Sequence, residues 1–155
     1  MMTSRLEVLV VEDDDAIREV LRDLLEDAGF EVRGVRDGAH ALAILRASER
    51  SLVILLDNLL PDLNGDEMVA ALDGDEATRA ASAVSGDHAR IAIERHGWVV
   101  ITASPRSITP AFARRLAELG APVIAKPFDL TTLMAAVDQA ALRLLSQASR
   151  QNAIP

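Results

Sequence analysis

A chain of 155 residues, half of them hydrophobic, is long enough to bury one self-sufficient core. The formal charge of −8 excludes nucleic-acid binding through a basic surface, and the absence of cysteine excludes disulfides, thiolate metal sites and a thiol nucleophile. Aromatics make up 3% of the residues, so the core is expected to consist of Leu, Val, Ile and Ala.

The start, Met1-Met2-Thr3-Ser4-Arg5, lacks the apolar stretch and cleavage site of a signal peptide. No apolar run approaches membrane-spanning length, so a soluble cytoplasmic protein is expected. Leu6 to Val11 (LEVLVV) reads as a first buried strand and ends in the acids Glu12, Asp13, Asp14 and Asp15. Ile17, Val20, Leu21, Leu24, Leu25 and Ala28 then recur at helical spacing, with Asp15 as the expected N-cap and Gly29 as the stop. Capping accounts for one or two of those acids, not for all of them. Phe30 to Val35 reads as a less apolar, edge strand, and Asp37-Gly38 turns into a second helix carrying Ala41, Leu42, Ile44 and Leu45.

Leu52 to Asp57 (LVILLD) suits a strand buried on both faces, because the aliphatic run is too short for an ordinary helix. Pro61 and Asn64-Gly65 enforce a turn just beyond Asp57, and a third helix is expected from about Asp66 to Leu72. A fourth strand, Trp98 to Ile101, ends in Thr102-Ala103-Ser104-Pro105, and a helix from Pro110 to Leu119 closes with Gly120. A fifth strand, Pro122 to Ala125, ends in Lys126-Pro127-Phe128, where Pro127 suggests a cis peptide bond. A last helix is expected from Leu130 to about Leu145, followed by a frayed polar tail.

Strands alternating with helices predict a single α/β domain, a doubly wound five-stranded parallel sheet of flavodoxin-like (βα)5 type. The core spans about residues 5–145 of 1–155. Right-handed crossovers bring all strand ends to one side, so Glu12, Asp13, Asp57, Thr102 and Lys126 converge on one crevice. The stretch from Asp73 to Gly97 exceeds what a minimal βαβ unit needs. It predicts a lengthened third helix or a second short helix beginning near Ser85-Gly86-Asp87. The alternation in Arg90 to Glu94 also permits a strand.

Clustered carboxylates repel one another unless a cation is present, and an all-oxygen donor set suits a hard ion such as Mg²⁺. Asp13 and Asp57 are expected as direct ligands, with Glu12 acting through water and the backbone carbonyl of Leu59 as a further oxygen. Lys126 is the single lysine among sixteen Lys and Arg residues. A compact ammonium suits a narrow crevice better than a guanidinium. Thr102 adds a hydroxyl. Metal, carboxylate nucleophile, ammonium and hydroxyl together suit phosphoryl transfer to an aspartate.

The segments VLVVEDD, LLDNLLPDLNG, VVITAS and IAKPF, in that order, resemble the receiver domain of two-component response regulators. The resemblance covers nearly the whole chain except Asp73 to Gly97. It implies Asp57 as phosphoacceptor, Glu12 and Asp13 as the metal-site pair, Thr102 as switch hydroxyl and Lys126 as phosphate contact. It also implies a histidine kinase or histidine phosphotransfer protein as donor, a downstream protein target, and the helix 4–strand 5–helix 5 face as output or homodimer surface. A last helix ending about ten residues before Pro155 leaves no length for an effector domain, so a stand-alone receiver is expected. Val123 stands where the family often has an aromatic, so the switch is expected to run through backbone movement after Thr102.

Other readings fit less well. A flavin-binding flavodoxin needs a phosphate loop after the first strand, where the run of acids repels phosphate. A haloacid-dehalogenase-type phosphatase leaves Asp57 unemployed. A degenerate receiver acting as a phosphorylation-independent binding module is at odds with the intact Asp57, Thr102 and Lys126.

Overall fold

A computed structural model describes residues 5–82 and 93–152. The branched aliphatic runs form β1 (Glu7–Val11), β2 (Glu31–Val35), β3 (Val53–Asp57), β4 (Gly97–Thr102) and β5 (Val123–Ala125). All pair in parallel in the order β2-β1-β3-β4-β5, which puts β2 at an edge as its mixed composition predicts. Among the described residues five α-helices connect or follow them: α1 (Asp15–Asp27), α2 (Gly38–Ala47), α3 (Gly65–Ser82), α4 (Pro110–Leu119) and α5 (Leu130–Asn152).

Alternate residues of each strand face opposite sides of the sheet, and both sides are covered. Leu9, Val11, Ile54, Leu56, Trp98 and Val100 pack under α2, α3 and α4. Val8, Val10, Val53, Leu55, Val99 and Ile101 pack under α1 and α5. The doubly wound sheet is therefore a three-layer sandwich, and β3 is buried along its whole length. Truncating the fully buried Leu56 to Ala would cost about 2–5 kcal/mol.

Helix ends follow local chemistry. Thr109 caps α4 by accepting from Phe112 N, Pro110 opens the helix, and Gly120 closes it in the left-handed conformation (φ 65°). At α1 the cap is Asp14, not Asp15. The Asp14 backbone is extended and its carboxylate accepts from Ile17 N, while Asp15 is already helical and pairs with Arg18 and Arg36. Val20 is also misjudged by periodicity. It is 55% exposed, because the buried face of α1 is centred on Leu21 and Leu25 and Val20 falls to its side.

The long segment after β3 begins as a lengthened third helix, which runs to Ser82 instead of stopping near Leu72. Two ion pairs hold it to its neighbours, Asp73 with Arg115 of α4 and Asp75 with Arg46 of α2. The expected break at Ser85-Gly86-Asp87, and most of the alternating stretch, lie outside the described residues. Where that stretch is described, Ile93–Arg95 is a 3-10 turn and not a strand. The last helix also outruns its expectation, continuing to Asn152. Residues 146–152 are mostly polar but include no glycine or proline, so nothing local stops the helix before Asn152. No helix among the described residues is long and apolar enough to cross a membrane.

Candidate functional site

The carboxyl ends of β1, β3, β4 and β5 bring together most of the residues singled out above. Asp57 ends β3 and Glu12 directly follows β1, and both are buried. Asp13, next along, is exposed. Carboxylate oxygens of Glu12, Asp13 and Asp57 lie within 4.8 Å of one another, a group that could hold a metal ion. The donors are all hard oxygens, which fits Mg²⁺ and excludes nothing larger of the same class.

Lys126 reaches into this group from just beyond β5. Its ammonium donates to Glu12 Oε2 at 3.0 Å and to Asp57 Oδ2 at 3.1 Å. Its backbone N–H is anchored on Thr102 O at 2.8 Å, and the Lys126–Pro127 peptide is cis. One cation thus serves two buried carboxylates. Burial pushes the Glu12 carboxyl above its ordinary range, and the charge of Asp57 adds to the rise although Lys126 opposes it. Burial alone would lower the Lys126 ammonium, but its hydrogen bonds to Glu12 and Asp57 outweigh that and raise it.

The protein also fixes the remaining oxygens. Asp57 Oδ1 accepts from Leu59 N at 3.1 Å, which orients the carboxylate against the turn that follows it. Glu12 Oε1 accepts from Asp14 N, and the Glu12 carbonyl accepts from Arg18 at 2.9 Å. Leu59 thus meets Asp57 through its backbone N–H.

Thr102 is fully buried at the end of β4, but its hydroxyl is not on Asp57 or Lys126. It donates to Ser104 O and accepts from Ser104 N, both at 3.1 Å. Val123, three residues before Lys126, is 42% exposed and fills no inner space.

Sequence reasoning passed over Asn58, the residue after Asp57. Its side chain is buried, and it donates to Ser107 Oγ at 3.1 Å. An Asn in a turn reads as turn chemistry, so only its place directly after an apolar strand could have marked it. Asp62 was also missed. It accepts from Gly38 N and Ala39 N and so holds the start of α2 against the loop after β3.

The family model for the response regulator receiver domain matches residues 8–96. The chain belongs to this family. A curated relative, the polar-differentiation response regulator DivK of Brucella ovis, is 36% identical over 91 residues, covering 54% of this receiver and 73% of DivK. The chemotaxis protein CheY4 of Vibrio cholerae is 25% identical with a TM-score of 0.63, covering 88% of this receiver and 99% of that chain. A sensor protein from Polaromonas is 26% identical with a TM-score of 0.66, covering 90% and 98%. The matched span of this receiver holds Glu12, Asp13, Asp57 and Leu59. Thr102 and Lys126 lie beyond it, and the sheet carries them to the same end.

Proposed function

We propose that this receiver acts in a two-component or phosphorelay pathway in the cytoplasm, taking a phosphoryl group onto Asp57 from a phosphohistidine of a histidine kinase or phosphotransfer protein. A carboxylate oxygen of Asp57 attacks phosphorus, the P–N bond breaks, and its electron pair stays on the donor imidazole. The product is an acyl phosphate. The observation that carries this reading is the shared ammonium: Lys126 bridges Glu12 and Asp57 at the end of the central strand. An ammonium already beside the nucleophile can follow the negative charge onto a phosphoryl oxygen.

Glu12, Asp13 and Asp57, with the Leu59 carbonyl, are the residues that would hold Mg²⁺. When bound, that ion supplies charge neutralisation at the phosphoryl oxygens. Leu59 N keeps the Asp57 carboxylate oriented, and burial of Asp57 limits competing water. Thr102, whose hydroxyl donates to Ser104 O, would give up that bond to donate to the new anion. The protein is a phosphoacceptor and not an enzyme acting on other molecules, and its signal leaves through contacts with a downstream protein.

Intact mass after incubation with Mg²⁺ and acetyl phosphate tests this. One phosphoryl adduct is expected on the wild type and none on Asp57→Asn. An undiminished adduct on that variant overturns the assignment.

A further inference from the structure

We propose that Asn58 is a positioning residue which, with Ser107, latches the loop after β3 to the loop after β4 and sets how readily Thr102 releases its hydroxyl toward Asp57. The proposal rests on reading Asp57 as the acceptor.

A buried primary amide in apolar surroundings is costly unless its groups are bonded. Asn58 is 3% exposed, and its Oδ1 has no hydrogen-bond partner among the described residues. It also crowds its surroundings: a Cβ on Gly65 would sit 2.7 Å from that oxygen. An apolar residue of similar shape would fill this place without an orphaned acceptor. What the amide adds is one bond across the crevice wall, from Nδ2 to Ser107 Oγ at 3.1 Å. The backbone of Asn58 points the same way, since its N–H donates to Ile101 O, one residue before Thr102, at 2.8 Å.

The bond to Ser107 has a directional consequence. Because Ser107 Oγ accepts from Asn58, its own proton is left for Ser104 O, which it meets at 2.6 Å. The same carbonyl accepts from the Thr102 hydroxyl at 3.1 Å. Ser107 N also donates to that carbonyl at 3.0 Å, so Ser104 O has three donors for its two lone pairs. When Thr102 turns toward a phosphoryl group on Asp57, the Ser107 N–H and hydroxyl both remain, and Thr102 gives up the surplus bond. Without the Ser107 hydroxyl, Thr102 would be one of only two donors and harder to release. Asn58 fixes which way Ser107 donates, and Ser107 lowers the cost of the turn. Val123, short, β-branched and partly exposed, offers no comparable rearrangement, so the hydrogen bonds of this loop carry the coupling.

The test uses the full chain with Mg²⁺ and acetyl phosphate, reading steady-state phosphorylation by intact mass. Ser107→Ala, an exposed position, should lower the phosphorylated-to-unphosphorylated ratio about fivefold, the scale of one net hydrogen bond. Ser107→Thr should restore it. Asn58→Leu should fall in the same direction, and the double variant should fall no further than Ser107→Ala. Wild-type phosphorylation in Ser107→Ala, or losses that multiply in the double variant, overturn the latch. If the wild type accepts no phosphoryl group, the acceptor reading fails by itself. The latch is then judged in the unphosphorylated protein, where Ser107→Ala should shift the Asn58 side-chain amide resonances; unmoved resonances overturn it.

Discussion

β1 carries a buried carboxylate at each end, and the two are treated in opposite ways. At the amino end, Glu7 accepts from two guanidinium groups, Arg33 at 3.0 Å and Arg50 at 3.1 Å. At the carboxyl end, Glu12 shares the one ammonium of Lys126 with Asp57, and Asp13 stands beside them. Glu7 has more positive charge around it than it needs. The Glu12 group has less. Same strand, same residue type, similar burial: the difference lies in how many cations the neighbouring elements deliver. The amino end is a closed ion cluster that holds β1 to β2 and to the segment leading into β3, whereas the carboxyl end is left short of positive charge and open to acquiring more.

Removing cations one at a time breaks this comparison most sharply. Lys126→Met leaves the buried Glu12 and Asp57 carboxylates without their partner and should cost about 3–5 kcal/mol in urea unfolding without Mg²⁺. A loss below about 1 kcal/mol would mean that the crevice acids are not charge-starved.

His96 belongs to the amino end and gives the next largest effect. It is buried, its Nδ1 accepts from Leu52 N at 3.1 Å, and its ring lies edge-on to Trp98. Burial, with Arg95 adding to it, lowers its pKa from 6.5 to about 4. The unfolded chain therefore binds a proton near pH 6.5 that the folded chain refuses until about pH 4. Stability falls as pH drops through that window, by about 3 kcal/mol from this group. His96→Asn, which keeps an acceptor near the same place, should flatten the slope between those values; an unchanged slope removes His96 as its source.

At the carboxyl end the complementary measurement is metal linkage. Mg²⁺ at a hundredfold excess over its Kd should stabilise the fold by about 2.7 kcal/mol. Asp13→Ala should abolish most of that gain, whereas Glu7→Gln at the other end should leave it intact. A melting temperature indifferent to millimolar Mg²⁺ contradicts the metal site. The smallest effect is expected for Arg33→Ala. Its side chain is half exposed and Arg50 remains on Glu7, so the loss should stay within about 1 kcal/mol. A loss as large as that of Lys126→Met would erase the contrast between the two ends.

These contrasts also mark what could be read from the chain itself. The place of Asp57 at the end of β3 was legible because a short aliphatic run followed by Pro61 and Gly65 has a clear boundary. Helix α4 was legible to the residue because Thr109-Pro110 and Gly120 are strong end signals acting locally. Glu7 passed unnoticed inside LEVLVV, since its partners Arg33 and Arg50 come from distant segments that only the sheet brings near. Asp14 and Asp15 were exchanged because adjacent acids cap equally well in isolation. The choice was made by Arg18 and Arg36, which draw Asp15 outward. Asn58 was missed for a related reason: its partner Ser107 lies forty-nine positions away in the chain.

The bridging ammonium gives this molecule a built-in chemical reporter. Lys126 is the sole lysine in the sequence, so apart from the chain's α-amino group it is the one site open to amine-selective acylation. Its side chain is 19% exposed and engaged by two carboxylates, which makes its labelling slow in the resting protein. Whatever draws Glu12 or Asp57 away from it changes that rate. The kinetics of a single acyl adduct on Lys126 therefore read out the charge state of the crevice, with no probe introduced and no background from other side-chain amines.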